Sequence, residues 1–214
     1  IIKSLYLNEY ALPIVGYSIC MIQRKVLQEL YVRQKRSMPN IAGVLKCSVH
    51  QIRYWMNKYA IPARSMSDAV YLKNNPNGDP FHFIEPKTIN EGVLYGMGIG
   101  LYWGEGTKAN KYSVRLGNTD PKLLKKFIEF LVKFFKIKKK DMKFGLQIFT
   151  DIDIHTVVNF WVRQLGIRPR QIYKPIITKS GSLGTYRKKS EHGVLTVFYN
   201  NVKLRNLLVS KLPM

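Results

Sequence analysis

Cysteine is scarce in this chain of 214 residues, which contains only Cys20 and Cys47. Two thiols are too few for a zinc finger or for a disulfide scaffold. Cys47 lies within an apolar helical pattern, where a thiol packs as a small hydrophobic side chain. The composition therefore favours a reducing compartment, the cytoplasm or the interior of an organelle, and argues against secretion.

Long hydrophobic runs are also missing. The apolar run over residues 11–22 falls short of the roughly 20 residues that a membrane-spanning helix needs. It also lacks the charged start and the small-residue cleavage site of a signal peptide. We therefore expect no membrane partner, while the role of residues 1–22 stays open.

Acidic residues are few: the chain has 13 Asp and Glu against 35 Lys and Arg, for a formal net charge of +22. Such a surface attracts polyanions, because neutralising phosphates releases the counterions condensed around nucleic acid. Double-stranded DNA is the expected partner. A ribosomal or membrane-surface protein has the same excess of positive charge, so charge alone leaves these classes open.

The chain divides into three regions by pattern. Residues 1–62 are predicted to be a helical region whose core, 23–62, has strong helical periodicity. Residues 63–90 contain a dense cluster of turn formers over 74–80 and are interpreted as a linker. Residues 91–214 alternate helical and strand patterns, without an internal repeat.

Three short helices are predicted in the first region, over 24–35, after Ser37 and from Ser48, a good N-cap residue. The apolar spacing over residues 41–55 resembles the helix-turn-helix of resolvases and many repressors. A departure is Lys46, which stands at the turn position where glycine is common. The alternative is a generic three-helix core with a solvated basic face.

The third helix of this module is amphipathic, and a helix fits the major groove of DNA. Its outer face is therefore predicted to bind DNA, through His50, Gln51, Arg53, Tyr54 and Lys58.

The helix predicted next along the chain, over Val93 to Gly106, is unusually rich in glycine. The residues before it, from Thr88 to Glu91, form a capping-box pattern. Gly96, Gly100 and Gly104 fall at a spacing of four residues on one face, at a joint cost of roughly 2–3 kcal/mol relative to alanine. A close helix–helix crossing is the usual compensation, so we predict tight packing through this face.

Glu105 follows at the end of that helix, where the partly negative helix C-terminus makes a carboxylate unfavourable. A bound cation would reverse the sign of that interaction. Gly106 suits a left-handed C-cap. Glu105 is therefore the candidate metal ligand.

The stretch over residues 100–106, Gly-Leu-Tyr-Trp-Gly-Glu-Gly, resembles the end of the motif of LAGLIDADG homing endonucleases, Gly-Leu-Ile-Asp-Ala-Asp-Gly. Glu105 falls on the second acid, which binds the catalytic divalent metal in that family. The resemblance implies Mg²⁺ (or Mn²⁺) at Glu105 and Gly104, and a basic residue near the active site, for which Lys203 is the candidate. Trp103 stands at the first acid position, a departure from the motif.

A single copy of the motif implies a homodimer, because the family's active site needs two motif helices. Twofold symmetry then predicts a palindromic or near-palindromic target. The two Glu105 carboxylates would lie close together, and both strands would be cut across the minor groove.

The predicted fold is α/β (α+β): a three-helix module followed by a domain in which helices back a curved antiparallel sheet. Strands are predicted at 114–120, 142–150 and 194–199, and a helix begins at Pro121 after the capping residue Asp120. In the family that this domain resembles, the sheet lies in the major groove. The predicted DNA-binding residues of this half are Arg115, Lys143, Gln147, Lys174, Arg187, Lys188 and Lys189.

Two other interpretations of the glycine-rich helix fit its sequence less well. The spacing of Gly98, Gly100 and Gly104 does not match a dinucleotide-binding loop, and no strand precedes it. A transmembrane glycine zipper would need a longer apolar run. Three alternatives stay open: a structural glycine helix with an inert Glu105, a transcription regulator that does not cleave DNA, and an RNA maturase.

Overall fold

A computed structural model describes residues 21–179 and 190–213. The chain forms two compact units, one up to Gly78 and the other from Asp79 onward. The division falls inside the predicted linker, 63–90. Three residues predicted to bind DNA lie outside the described ranges: Arg187, Lys188 and Lys189.

The described part of the first unit is helical. Helix α1 (Arg24–Leu27) continues as a π-helical segment (Gln28–Arg33), and α2 (Met38–Leu45) and α3 (Val49–Lys58) follow. A fourth helix, α4 (Met66–Asn74), lies within the predicted linker and has no buried residue. The three helices predicted from the sequence are thus present, whereas α4 was not predicted.

The first unit has its own small core. Side chains of the first three helices pack together with Ile22, whose carbonyl accepts a hydrogen bond from the Tyr59 hydroxyl at 2.9 Å. The Arg64 guanidinium lies 3.9 Å from the ring centroid of Tyr31 and donates to the carbonyl of Arg36. The segment after α3 therefore packs against the π-helical segment and the residues that follow it. The buried apolar residues are Ile22, Leu27, Tyr31, Ile41, Ala42, Ile52, Trp55, Met56 and Ile61.

The second unit combines helices and strands. In chain order they are α5 (Ile89–Glu105), β1 (Val114–Asn118), α6 (Pro121–Phe135), β2 (Lys143–Phe149), α7 (Ile154–Leu165), β3 (Ile176–Thr178), β4 (Val194–Tyr199) and α8 (Val202–Val209). The predicted mixed α/β class is confirmed. None of the helices in the described ranges is long and apolar enough to cross a membrane.

The four strands form one sheet in the order β1-β4-β2-β3. Strand β4 pairs antiparallel with β1 and with β2, but β3 pairs parallel with β2. The prediction of a wholly antiparallel sheet is therefore wrong at this edge. The reason is that α7 lies between β2 and β3 and carries the chain back, so the two strands run in the same direction.

The core of the second unit lies between one face of the sheet and the helices. Along β2, Phe144, Leu146 and Ile148 are buried while the residues between them are not, as the alternation in sequence predicts. Helix α6 contributes a continuous apolar stripe to the same core: Leu124, Phe127, Ile128, Phe130, Leu131, Phe134 and Phe135.

Residues 79–88 also pack on this unit. The amides of His82 and Ile84 donate to the carbonyls of Phe135 and Phe134, at 3.1 and 2.8 Å. The start of the second unit is thereby held against the end of α6.

Candidate nucleic-acid interface and metal site

Helix α5 begins where the capping box predicts. The Thr88 hydroxyl accepts from the amide of Glu91, and the Glu91 carboxylate accepts from the amide of Lys87 at 2.8 Å. Glu91 also pairs with Lys133 of α6 at 3.2 Å. The Lys87 amide and then the Lys133 ammonium lower the pKa of the Glu91 carboxyl below its usual value.

One side of α5 packs on α6. Leu94, Gly98 and Tyr102 are buried on this side. The Phe130 ring lies so close to Gly98 that a Cβ atom there would overlap it. The glycine that allows close helix packing within the chain is therefore Gly98, which was not among the predicted packing glycines.

The opposite side of α5 is open and is called the glycine face below. A Cβ atom built on Gly92, Gly96, Gly100 or Gly104 would meet nothing within 4 Å. Large apolar side chains are exposed beside these glycines: Ile89 (87%), Val93 (60%), Met97 (44%) and Trp103 (50%). The predicted close packing through Gly96, Gly100 and Gly104 thus has no partner within the described part of this chain.

Glu105 is the last residue of α5 and is exposed. Within residues 21–179 and 190–213, no donor lies within hydrogen-bonding distance of its carboxylate. Gly106 has φ −73° and ψ 141°, so the predicted left-handed cap is wrong. The chain turns directly into an extended bridge with Leu116, and Gly106 is needed because a Cβ atom would overlap the Tyr102 carbonyl and ring.

The segment after Glu105, residues 107–113, is held in place by hydrogen bonds. The Asn110 side-chain carbonyl accepts from the amides of Tyr112 and Ser113, each at 3.0 Å. Arg205 of α8 donates to the carbonyls of Lys108 and Asn110, at 2.5 and 3.1 Å. This ordered loop leaves Tyr112 76% exposed.

Two lysines are candidates for the basic residue near the active site. Lys203, the residue predicted from the sequence, forms an ion pair with Asp79 at 2.9 Å. The Lys108 ammonium lies 2.5 Å from the carbonyl oxygen of Trp103, at the end of α5 beside Glu105. Sequence reasoning missed Lys108, although a cation just beyond a helix C-terminus is a recognisable signal.

Among the described residues, the side chains on the sheet face turned away from the buried core are half-buried or exposed, and this surface is called the open sheet face below. Along this face Arg115 of β1 is opposite Phe198 of β4, which is opposite Lys143 of β2. Arg115 and Lys143 are half-buried, whereas Gln147 is exposed and its amide donates to the Thr178 hydroxyl at 3.3 Å. The structure therefore brings three predicted DNA-binding residues onto one surface.

Lys174 precedes the edge strand β3 and is exposed, and Tyr173 beside it is 45% exposed. The Tyr173 ring contacts the Phe198 ring edge-on, with centroids 5.9 Å apart. Basic and aromatic groups thus extend along the sheet toward this edge.

The outer side of α3 presents a second basic surface. His50, Arg53, Tyr54 and Lys58 are exposed on it. The Gln51 side chain, by contrast, accepts from the amide of Ser48 at 2.9 Å and completes a capping box. Its carbonyl oxygen is therefore engaged within the helix, a role that the Ser-x-x-Gln spacing indicates.

The turn before α3 forms although it lacks glycine. Lys46 adopts φ 52° and ψ 42° at the end of α2, which is the left-handed conformation that glycine favours. The turn to Ser48 is thus short, as in a helix-turn-helix. Lys46 carries backbone strain that glycine would not.

The oxygen donors at the end of α5 suit a hard cation. In the part of the chain that the structure describes, no group of three or more His, Cys, Asp or Glu residues could hold a metal ion. One chain offers the Glu105 carboxylate and the neighbouring Gly104 carbonyl, both oxygen ligands of the type that Mg²⁺ and Mn²⁺ prefer. These two oxygen ligands fit a magnesium site only if a second pair of ligands completes the coordination of the ion.

No protein-family profile, curated protein or solved structure matches this chain. Its function is therefore inferred from its own residues and their geometry.

Proposed function

We propose that this chain is a site-specific DNA endonuclease of the single-motif LAGLIDADG type, preceded by a helix-turn-helix, and that it acts as a homodimer with Mg²⁺ (or Mn²⁺). The observation that carries the proposal is the glycine face, an open apolar helix surface that ends at the exposed carboxylate Glu105.

The energetics of the glycine face favour a partner. Four glycines in a helix lower its stability by about 2–4 kcal/mol relative to alanine. No described residue packs on them to offset that cost, and the neighbouring apolar side chains are exposed. A partner backbone packed closely on this surface would stabilise it by removing the apolar side chains from water and by adding van der Waals contacts at the glycines.

A second copy of the chain is the partner that this surface suits best. A twofold contact between two glycine faces lets backbone meet backbone, since neither copy has a side chain on the shared glycines. It also places two Glu105 carboxylates near each other. The oxygen ligands missing from one chain are then supplied by the other.

Glu105 and the Gly104 carbonyl from each copy would hold the metal. When bound, Mg²⁺ supplies the charge that stabilises the phosphodiester as it is hydrolysed, and it favours ionisation of water at neutral pH. The contribution of the chain is to place the carboxylates at the twofold axis. Lys108, beside the same helix end, provides a positive charge for the phosphate.

Two basic surfaces would bind DNA. The open sheet face presents Arg115, Lys143 and Gln147, and the outer side of α3 presents Arg53 and Lys58. With a net charge of +22, affinity for duplex DNA should fall steeply as salt rises. The helix-turn-helix adds contacts beyond those of the sheet.

The test is cleavage of a plasmid library that contains random sequence, with Mg²⁺ and with EDTA. We expect linear products with Mg²⁺ only, and we expect Glu105→Gln to abolish cutting while still binding the same DNA. The matched control is Glu129→Gln, an exposed carboxylate on α6 that pairs with Lys126 away from the site. It should cut as the unmodified protein does.

Other results would overturn the proposal. Specific binding without any cutting would favour a transcription regulator, and preference for structured RNA would favour a maturase. Undiminished cutting by the Glu105→Gln protein would remove Glu105 from the active site.

A further inference from the structure

Arg115 lies on the open sheet face, on the strand that contacts the segment after Glu105. Its neighbours Val114 and Leu116 are buried to 1% and 0% exposure, so Arg115 must point to the other side of β1. Its carbonyl accepts from the amide of Thr107 at 3.0 Å. The strand therefore brings the backbone of Arg115 against Thr107, which lies only two residues after Glu105, although Arg115 and Glu105 are ten residues apart in sequence.

The Arg115 side chain is anchored through its inner nitrogen. The Nε–H group donates to the Ser113 hydroxyl oxygen at 2.7 Å, and that hydroxyl donates to the Asn110 side-chain carbonyl at 2.9 Å. Ser113 is only 1% exposed. Arg205 holds Asn110 in turn by its backbone carbonyl. The anchor is thus built from ordered groups, not from a single surface contact.

The guanidinium also makes a cation–π contact. The Cζ atom of Arg115 lies 5.0 Å from the ring centroid of Phe198 on the neighbouring strand. The ring itself lies over Gly145, where an added Cβ atom would come within 2.7 Å of Cε2. Gly145 therefore lets Phe198 lie close to the sheet and serve as a platform for Arg115.

These contacts leave the two terminal nitrogens of Arg115 for a ligand. Neither donates to a residue in the described ranges. A guanidinium held at Nε and by contact with an aromatic ring presents a rigid pair of N–H donors. That pair matches two acceptors side by side, O6 and N7 of guanine in the major groove, and this is the commonest specific contact between a side chain and a base.

Lys143 gives the internal contrast. It lies opposite Phe198 on the other side, and so is the counterpart of Arg115 across the same ring. Among the described residues its ammonium has no hydrogen-bond or ion-pair partner, and it is a point charge without the planar fork of a guanidinium. Such a group suits a phosphate, which carries no sequence information.

We infer that Arg115 reads a guanine in each half of the DNA target, in the base pairs next to the cleavage site. This rests on the proposed function, and it names a base that the enzyme requires. Arg115 would be a specificity-determining residue, and Ser113 and Phe198 would be positioning residues for it.

The experiment selects duplexes that bind the protein from a random pool, with Ca²⁺ replacing Mg²⁺ so that bound DNA stays intact. A guanine should be enriched at one position in each half-site. Arg115→Lys keeps the charge but loses the planar pair of donors, and should relax that position alone by about tenfold or more. Lys143→Ala is the control and should weaken binding evenly across sequences.

A modified base tests the contact itself. Replacing the selected guanine by 7-deazaguanine removes the N7 acceptor and should weaken binding to the unmodified protein about fivefold or more. The same replacement should leave binding by Arg115→Met unchanged, because methionine has no N–H group to donate to N7. Ser113→Ala, which removes the anchor but keeps the guanidinium, should show an intermediate loss of guanine preference.

Two failures are distinguishable. If the protein binds duplexes without guanine enrichment, or if 7-deazaguanine is tolerated fully, the assignment of Arg115 is wrong while the proposed function stands. If no duplex is bound in preference to others, the proposed function itself fails.

Discussion

The ring of Phe130 lies directly against the backbone of Gly98, on the side of α5 opposite to its open glycines. The two sides of one helix therefore use glycine differently. Gly98 makes room for a neighbouring helix that is present. Gly100, two residues later, faces space that is empty within the described chain.

Gly98→Ala should lower the free energy of unfolding by about 1–3 kcal/mol, because the added methyl group overlaps the Phe130 ring and the core must shift. Urea unfolding measures it. Measured at a concentration where the protein is monomeric, Gly100→Ala is the matched control: it makes the same chemical change where no atom of the chain lies within 4 Å, and should stabilise the helix by about 0.5–1 kcal/mol. Equal effects of the two changes would contradict the described packing.

Gly100→Leu should abolish dimerisation without destabilising the monomer. A leucine side chain on the glycine face prevents close backbone approach, yet leucine is a good helix former. Sedimentation equilibrium gives the association state. Lys125→Leu adds the same exposed side chain on α6 and should leave the dimer intact. A Gly100→Leu protein that still dimerises would exclude pairing through this face.

Lys108→Ala should slow DNA cleavage by about tenfold or more, because it removes a positive charge beside the proposed metal site. Lys203→Ala should change cleavage less, since its ammonium is paired with Asp79. That exposed pair contributes at most about 1 kcal/mol to stability. Single-turnover cleavage rates decide between them, and a greater loss in Lys203→Ala would restore the residue predicted from sequence.

Lys46→Gly should stabilise the first unit by about 0.5–1 kcal/mol, because glycine adopts φ 52° without the strain that a Cβ atom brings. The control, Lys25→Gly in α1, removes the same charge but should destabilise by about 0.5–1 kcal/mol. Thermal unfolding of each protein gives the sign. If Lys46→Gly lowers the melting temperature, the left-handed turn is not as described.

Glu91 should make stability depend on pH. Its folded-state pKa is lowered, first by the Lys87 amide and then by Lys133. Its contribution is therefore full above its unfolded pKa of about 4.3 and is lost as pH falls through the lower, folded value. Wild type should exceed Glu91→Gln in unfolding free energy at about pH 6, and the difference should shrink as the pH is lowered below about 4.3. A difference that is independent of pH would rule out this contribution.

Local features of the second unit could be predicted from the sequence. Strand β4 has the predicted bounds, 194–199, and α6 begins at Pro121 with Asp120 as its cap. Caps and alternation are determined by neighbouring residues, so a short stretch contains the whole signal.

Features that depend on distant residues could not be predicted. The parallel pairing of β3 depends on the direction in which α7 returns the chain to the sheet, and sequence patterns do not give that direction. The choice of Gly98 as the core glycine depends on the position of Phe130, in another helix. The anchor of Arg115 likewise joins residues from β1, the preceding loop and α8.

The single carboxylate at the end of an open helix face has a consequence for control of the proposed activity. If two chains must meet to complete the site, the active species grows with the square of protein concentration when most chains are monomeric. A cell that halves its supply of the protein would then lose about three quarters of the nuclease. A low concentration of the protein would then keep most chains monomeric and limit cutting of genomic DNA.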